Sequence, residues 1–218
     1  MAASENPPMK ILALTGSIGM GKSATARLFA EAGIPVFDSD ACVHELYAPG
    51  GAAVAPVEAE FPGVVREGTI DRDVLARQLR EDESGFERLE AIVHPLVAAS
   101  RNAFLDAAVQ AGQDMVLLDI PLLFETGGDT LADIVIVVSA PDDIRRERVL
   151  QRPGMTPEKL DSIIARQIPD SIKRSKADYV ITTADGIDDA RRQVDSVIGK
   201  IRAGDCGGAD RRGEQGDA

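Results

Sequence analysis

Residues 10–23 have the sequence KILALTGSIGMGKS. The first six of them form a short apolar run, which is typical of a buried strand. The last eight match GxxxxGK[ST], a pattern whose glycines allow backbone N–H groups to face phosphate oxygens. The helix predicted for Lys22–Ala32 follows at once, and its N-terminal dipole favours an anion there. A strand, this loop and a helix in that order predict a site for the phosphates of a nucleotide.

The two polar residues at the end of the loop have distinct predicted roles. Lys22 would reach the β- and γ-phosphates, and the Ser23 hydroxyl would ligate Mg²⁺. The nucleotide would therefore be bound as its magnesium complex. The loop residues that we predict to contact it are Gly16, Ser17, Ile18, Gly19, Met20, Gly21, Lys22, Ser23 and Ala24.

Strand and helix patterns alternate along the rest of the chain. Further short apolar runs, rich in β-branched residues, predict strands at Pro35–Phe37, Val116–Leu118, Ile134–Val138 and Tyr179–Thr182. Helical patterns cover Asp142–Leu150 and Asp188–Ile201. This alternation predicts an α/β protein of the P-loop NTPase type, in three α/β/α layers around a doubly wound, five-stranded parallel sheet.

Two segments interrupt the alternation. Residues 41–112 have no comparable strands; Asp71–Glu81 has helical spacing, and Ser84–Glu87 fits a capping box before another helix. The second segment is residues 151–175, in which Thr156-Pro157 predicts the start of a helix and Pro169 its end. We predict a flexible leader (1–8), a nucleotide-binding core (9–40, 113–150 and 176–202), a helical acceptor domain (41–112), a small lid (151–175) and a disordered tail (203–218).

Composition excludes several classes of function. The formal net charge is -12, from 24 basic and 36 acidic residues, so no nucleic-acid partner is expected. One arginine-rich stretch, Arg145–Arg152, suits a triphosphate instead. Two cysteines without CxxC spacing favour the reducing cytoplasm. The apolar stretch Met115–Phe124 is too short and too interrupted to cross a membrane, and we expect a monomer or small homo-oligomer.

Two classes of P-loop protein remain open. A nucleotide switch of the GTPase type would carry DxxG after the third strand and [NT]KxD after a later strand. Asp119-Ile-Pro-Leu does not fit DxxG, and Ser175-Lys-Ala-Asp178 precedes a predicted strand. A small-molecule kinase needs a carboxylate after the second strand, an acceptor-binding insertion and an arginine-bearing lid, and candidates for all three exist. We favour a kinase. Its acceptor could be any small hydroxylated molecule, such as a nucleoside monophosphate or shikimate.

Several motifs together resemble one family of kinases. They are the loop Thr15–Ser23, Ile34-Pro-Val-Phe-Asp38-Ser-Asp40, Leu89-Glu-Ala-Ile-Val-His94-Pro95, Leu118-Asp119-Ile-Pro-Leu-Leu-Phe-Glu125, and Arg148, Arg152, Gln167, Pro169, Lys173 and Ala177-Asp178 in the lid region. In this order they resemble the dephospho-CoA kinases from about residue 10 to 202. Many families share the P-loop, whereas the combination of Asp-x-Asp, His-Pro and Pro-Leu-Leu-Phe-Glu is specific.

The resemblance implies a reaction and a set of residues. ATP would be the donor, dephospho-CoA the acceptor and the ribose 3′-hydroxyl the site of transfer, which completes coenzyme A synthesis. Thr183 would lie near the adenine, where the family often has Asn, and Pro153 stands where an acidic residue is more frequent. The implied catalytic residues are Lys22, Asp38, Arg148 and Arg152, the acceptor-binding residues are Asp38, Asp40, His94, Leu122 and Glu125, and the metal ligands are Ser23 and Asp119.

Most of these residues have an alternative, structural role. Asp38 and Asp40 would also suit the N-cap of a helix, and Asp119 a turn before Pro121. His94 would suit an ordinary core or capping position. Arg145, Arg148 and Arg152 are spaced to share one helix face, where at least one is expected to serve catalysis. Otherwise this face would be a solvated one that pairs with Asp142, Asp143 and Glu147.

Overall fold

The computed structural model of the protein describes residues 8–82 and 84–207. In chain order the elements are β1 (Lys10–Thr15), α1 (Lys22–Glu31), β2 (Val36–Asp38), α2 (Ser39–Tyr47), α3 (Val54–Glu60), β3 (Val65–Arg66), β4 (Thr69–Ile70), α4 (Arg72–Glu81), α5 (Gly85–Gln110), β5 (Met115–Asp119), a 3-10 helix (Gly128–Leu131), β6 (Ile134–Ser139), α6 (Asp142–Leu150), α7 (Pro157–Ala165), α8 (Asp170–Ser175), β7 (Tyr179–Thr182) and α9 (Ile187–Arg202).

The chain divides into two compact units. One, the core unit, comprises the chain up to Val36 and from Gln113 onward, and the other, the inserted unit, is Phe37–Gly112. The parallel sheet has the strand order β2-β5-β1-β6-β7. Four of its strands belong to the core unit, and β2 (Val36–Asp38) crosses the boundary between the two units. The N-terminal strand thus lies in the middle, where Leu12 pairs with Leu117 of β5 and Ile134 of β6.

Alternate residues of the central strands support two separate hydrophobic layers. Leu12 and Leu14 join a large cluster on one face with residues of α1 and α9. Ala13 faces the other way and packs with Val135 and Val137 of β6. β5 and β6 are buried along their whole lengths, as expected for parallel strands covered on both faces. The predicted three-layer, doubly wound architecture is confirmed.

The inserted unit is built around its longest helix. α2, α3 and α4 all contact α5. The short antiparallel strands β3 and β4 pair Val65 with Ile70. Glu58 in the last turn of α3 accepts hydrogen bonds from the backbone N–H groups of Gly63 and Val65, both at 2.8 Å. This hairpin is an addition to the helices that the sequence predicted for this segment.

The predicted elements of the core unit are confirmed with small changes at their ends. β1, β7 and α6 have the predicted bounds, and the other predicted strands differ by one residue at one or both ends. Two local predictions are wrong. Ser84 precedes α5 without capping it, because its N–H and hydroxyl both bond Asp82. α7 ends at Ala165, and Pro169 is instead the N-cap residue of α8.

The chain ends lie mostly beyond the described part. Residues 1–7 of the predicted leader and 208–218 of the predicted tail are outside the described residues. The first five tail residues, 203–207, lie against β7, where the Tyr179 hydroxyl donates to the Asp205 carbonyl at 2.8 Å. Within the described ranges, no helix combines the length and apolar character needed to cross a membrane. Cys42 is a buried free thiol and Cys206 an exposed one.

Candidate nucleotide-binding site

The P-loop joins β1 to α1 and passes close to two neighbouring elements. A Cβ atom on Gly16 would lie 2.7 Å from the Val138 carbonyl oxygen of β6. One on Gly19, whose φ is +79°, would lie 2.5 Å from the Val149 side chain of α6. Both approaches are shorter than real Cβ contacts, so only glycine fits at these positions. The loop therefore packs closely against the end of β6 and the C-terminal end of α6.

Met20 fixes the far side of the loop. Its side chain is 1% exposed, and its sulfur accepts a hydrogen bond from the Ala140 N–H at 3.1 Å. Its carbonyl oxygen accepts one from the Thr183 hydroxyl at 2.8 Å. The loop conformation thus depends on the segments that follow β6 and β7. Because residues outside the loop already fix its conformation, the loop is preorganised for a phosphate ligand.

Lys22 forms an ion pair with Asp119 at the end of β5. The Lys22 Nζ lies 2.6 Å from Asp119 Oδ1, with 15% and 3% of the side chains exposed. This largely buried ion pair fixes the Lys22 ammonium at the end of the P-loop, close to where the phosphates would bind. A triphosphate would offer Lys22 several anionic oxygens in place of the one carboxylate.

The predicted magnesium ligands suit that ion chemically. Ser23 is exposed at the start of α1, and Asp119 supplies a carboxylate oxygen. No cluster of three or more His, Cys, Asp or Glu with metal-binding spacing occurs among the described residues. Mg²⁺ is commonly held by one or two protein oxygens, while substrate phosphates and waters complete its octahedron.

Arg148 binds the loop that follows β7. Its guanidinium donates to the Thr183 hydroxyl at 2.8 Å and to the Thr183 carbonyl oxygen at 2.6 Å. Because Thr183 also bonds Met20, the three residues connect α6, the loop after β7 and the P-loop. The predicted nucleotide-binding position Thr183 is 7% exposed, and its hydroxyl already bonds the protein.

The other arginines of this region have different surroundings. Arg145 is buried and pairs with Asp142 at 2.8 Å, which is one of the pairings that the solvated-face interpretation predicted. Arg146 pairs with Asp161 of α7. Arg152 is exposed and lies beyond the last residue of α6. The arginines therefore do not form one surface, although their spacing suggested one.

The Glu125 carboxylate bonds two residues of the lid region. Its Oε1 lies 2.7 Å from the Lys173 Nζ, and Lys173 is completely buried. The same oxygen accepts a hydrogen bond from the Ile168 N–H at 3.0 Å. Burial raises the pKa of this carboxyl, but Lys173 and the Ile168 N–H outweigh burial and hold the pKa below its ordinary value. Glu125 therefore fixes the segment before α8 to the loop after β5.

Comparison with known proteins identifies the family. The sequence profile of the dephospho-CoA kinases matches residues 10–189. The chain belongs to the dephospho-CoA kinase family. A dephospho-CoA kinase of Mesorhizobium japonicum is 53% identical over 194 residues, which cover 89% of this chain and 98% of that protein. One of Rhodopseudomonas palustris is 50% identical over 190 residues, 87% of this chain and 94% of that protein.

Solved structures agree with this fold. A protein of Thermus thermophilus superimposes with a TM-score of 0.75 at 31% identity, over 89% of this chain and 99% of its own. A dephospho-CoA kinase from Campylobacter jejuni superimposes with a TM-score of 0.67 at 24% identity, over 89% and 98% of the two chains. At that identity, the second likeness supports the fold alone.

Two carboxylates predicted for the acceptor lie in the inserted unit. Asp38 is exposed and caps α2, because its Oδ1 accepts hydrogen bonds from the N–H groups of Asp40 and Ala41, at 2.9 and 3.0 Å. Asp40 lies in the first turn of α2, so its predicted alternative as an N-cap is wrong. Both capping bonds use Oδ1 of Asp38 and leave Oδ2 out of the cap. Capping thus leaves one oxygen of Asp38 available for chemistry.

The remaining predicted acceptor residues are open to solvent. His94 is exposed on α5, one residue before Pro95, which lies inside the helix. Leu122 is 44% exposed in the loop after β5. Large exposed apolar side chains are ordinary when single. Both side chains are therefore accessible to a ligand, and their predicted contact with the acceptor stays a prediction.

The features of a nucleotide switch do not appear at the expected places. β7 begins at Tyr179, directly after Ser175-Lys-Ala-Asp178, so the loose NKxD match precedes a strand instead of following one. Asp178 has a structural role, because its Oδ2 accepts from the Val135 N–H at 2.7 Å and its own N–H donates to the Val135 carbonyl. The segment thus fastens β7 to β6, and its resemblance to a guanine-binding motif is a coincidence.

Sequence reasoning missed how the site is held together. The bonds from Thr183 to Arg148 and to Met20 span 35 and 163 residues, and no local pattern indicates them. Gln167 is a second case, because its side-chain oxygen accepts from the Ile18 N–H in the P-loop at 3.1 Å. The available signal was that Gln167 and Lys173 belong to the family pattern, which gave them no specific role.

Proposed function

We propose that this protein transfers the γ-phosphoryl group of ATP to the ribose 3′-hydroxyl of dephospho-CoA, giving coenzyme A and ADP. The observation that carries the proposal is the family match over residues 10–189, which spans the P-loop, the loop after β5 and the lid region. An intact GxxxxGKS loop, held from outside by Thr183, supports ATP as the donor.

Residues of the core unit would bind and orient the donor. The P-loop N–H groups and Lys22 would hold the phosphates, while Mg²⁺ on Ser23 and Asp119 would neutralise charge on them. Of the four arginines between 145 and 152, Arg152 is exposed and forms no ion pair with a described carboxylate, so it is the one that we propose approaches a phosphate. Arg148 would instead keep the loop at Thr183 in place beside the nucleotide.

Asp38 is our candidate for the general base. It ends a strand of the sheet, and ligands of open α/β sheets bind at the carboxyl ends of strands. A carboxylate there would accept the proton of the attacking hydroxyl, a role that supplies about 10²–10⁴-fold in rate. We further propose that the segment 41–112 and its residues Asp40 and His94 bind the acceptor, and that residues 151–175 act as a lid that excludes water.

An acceptor assay tests the reaction. The protein is incubated with Mg-ATP and either dephospho-CoA, AMP, shikimate or no acceptor, and ADP and CoA are measured. We expect rapid ADP release with dephospho-CoA alone, matched by CoA. Equal ADP release in every tube would leave a P-loop hydrolase or switch and reject the proposal.

An Asp38→Asn variant tests the proposed base. Asparagine is as good an N-cap as aspartate, so α2 should remain stable while the proton acceptor is lost. We expect kcat to fall by about 10²–10⁴-fold with little change in the affinity for ATP. Wild-type turnover in this variant would remove Asp38 as the base.

A Lys22→Ala variant tests the donor site. Since Lys22 is the P-loop side chain that reaches the phosphates, we expect no measurable CoA formation. Circular dichroism should remain that of the wild type. Substantial CoA formation by the folded variant would contradict the role of the loop.

A further inference from the structure

One side chain of the lid region bonds the P-loop. Gln167 lies between α7 and α8, and its Oε1 accepts a hydrogen bond from the Ile18 N–H at 3.1 Å. Ile18 is the third residue of the phosphate-binding motif. Backbone N–H groups of this loop are the donors that a nucleotide phosphate uses. In this structure, therefore, one such donor is engaged by an uncharged amide oxygen of the protein.

The backbone on which Gln167 stands is held independently of that bond. The Gln167 N–H donates to the Ile164 carbonyl at 3.0 Å, and the next residue, Ile168, donates to Glu125. Glu125 in turn pairs with the buried Lys173. The segment would thus stay attached to the loop after β5 if the Gln167 side chain left the P-loop.

A phosphate oxygen is the stronger acceptor for the Ile18 N–H. Hydrogen bonds with an ionised partner are roughly twice as strong as those between neutral groups. One N–H makes only one well-aligned bond at a time. Phosphate that reached this donor would therefore displace the Gln167 oxygen.

The displaced side chain has room beside the loop. A cavity of about 320 Å³ lies against Gln167, Ser17, Arg145 and Asp170. Arg145 Nε and Asp170 Oδ1 are buried there without a hydrogen-bond partner among the described residues. Because these two polar atoms line it, the cavity can take in water, so a carboxamide that moved into it could be hydrogen-bonded there.

We infer that Gln167 is a positioning residue that bonds the Ile18 N–H of the P-loop and gives it up to a nucleotide phosphate. The lid region is then tied to the loop only while no phosphate is bound there. Nucleotide binding must break this tie, so the affinity for the nucleotide is lowered by the bond that is lost. This inference rests on the proposed function only in taking the ligand to be ATP.

Two nearly isosteric substitutions test the inference by calorimetry with Mg²⁺ and AMP-PNP, a non-hydrolysable ATP analogue. Gln167→Met removes the competing acceptor, and we expect AMP-PNP to bind about 2- to 10-fold more tightly, the factor for one net hydrogen bond. Gln167→Glu supplies a charged acceptor that also repels phosphate, and we expect weaker binding. Gln151→Met, at an exposed glutamine after α6, is the control and should leave the Kd unchanged.

The opposite signs separate this role from a purely structural one. A side chain that only stabilised the lid would weaken AMP-PNP binding, or leave it unchanged, when replaced by methionine, and either result overturns the inference. If Gln167→Met did not fold, Gln167→Asn, which withdraws the oxygen by one methylene, should also tighten binding. Because no acceptor is present, the outcome is independent of whether CoA is formed in the acceptor assay.

Discussion

Replacing Glu125 by glutamine should destabilise the core unit strongly. The Lys173 side chain is fully buried, and the Glu125 side chain is 14% exposed. Glu125→Gln keeps the size of the side chain and an oxygen for the Ile168 N–H, but leaves the Lys173 ammonium without a counter-charge. Removing one partner of a buried ion pair costs about 3–5 kcal/mol. For a chain of this length that corresponds to a fall in Tm of roughly 6–20 °C.

Urea unfolding at pH 7, followed by circular dichroism, measures this cost. The matched control is Asp161→Asn, which breaks the ion pair between Asp161 and Arg146 in the same region. Those side chains are 60% and 39% exposed, so the expected loss is only about 0.2–1 kcal/mol. The double variant Glu125→Gln with Lys173→Met removes both charges and should recover much of the stability.

Two results would refute this reasoning. A Glu125→Gln variant no less stable than Asp161→Asn would mean that the ion pair is not buried in the folded protein. A wild-type stability combined with a raised KM for dephospho-CoA would assign Glu125 to the acceptor, as the family resemblance first implied. The structure predicts the reverse, a large loss of stability whether or not acceptor is present.

Two further predictions concern the core unit, one at Thr183 and one at Glu125. Thr183→Val removes the hydroxyl that bonds Met20 and Arg148, so the buried Met20 carbonyl loses a partner. We expect the free energy of unfolding in urea to fall by about 1–3 kcal/mol. The control, Thr130→Val at an exposed position of the 3-10 helix, should change it very little. Since the folded-state pKa of Glu125 lies below its ordinary 4.5, its contribution to stability is complete above that pH and is lost as the pH falls through the folded-state value. The stability difference between wild type and Glu125→Gln should therefore stay constant from pH 7 to about 5 and shrink in more acidic buffer, and a difference that grew on acidification would contradict the sign.

The sheet was predictable because its strands are short, almost wholly apolar and bounded by turn residues. Ile134–Ser139 contains only apolar residues before its final serine, and a helix needs more than six residues to bury such a run. The hairpin β3–β4 was not predictable. Its strands have two residues each, too few for an alternating pattern, and its turn places the non-glycine Glu67 at a positive φ of 50°.

The loop that binds phosphate was predictable for a different reason. Its chemistry depends on backbone N–H groups and glycines at fixed spacing, so the motif itself contains the geometry. The roles of Glu125 and Gln167 were not predictable, because each depends on a partner 43 or 149 residues away. A carboxylate that is buried against a lysine and one that faces a substrate look the same in a sequence.

The central position of β1 also affects how the protein is made. β1 is the first strand to leave the ribosome, yet both of its partners, β5 and β6, begin more than a hundred residues later. At about 5–20 residues per second, Leu12 and its neighbours would wait roughly 5–20 s before they could pair. During that time an apolar strand with two unpaired edges is exposed to aggregation. The earliest risk to this protein in the cell therefore arises during its synthesis, before any part of the ATP site exists.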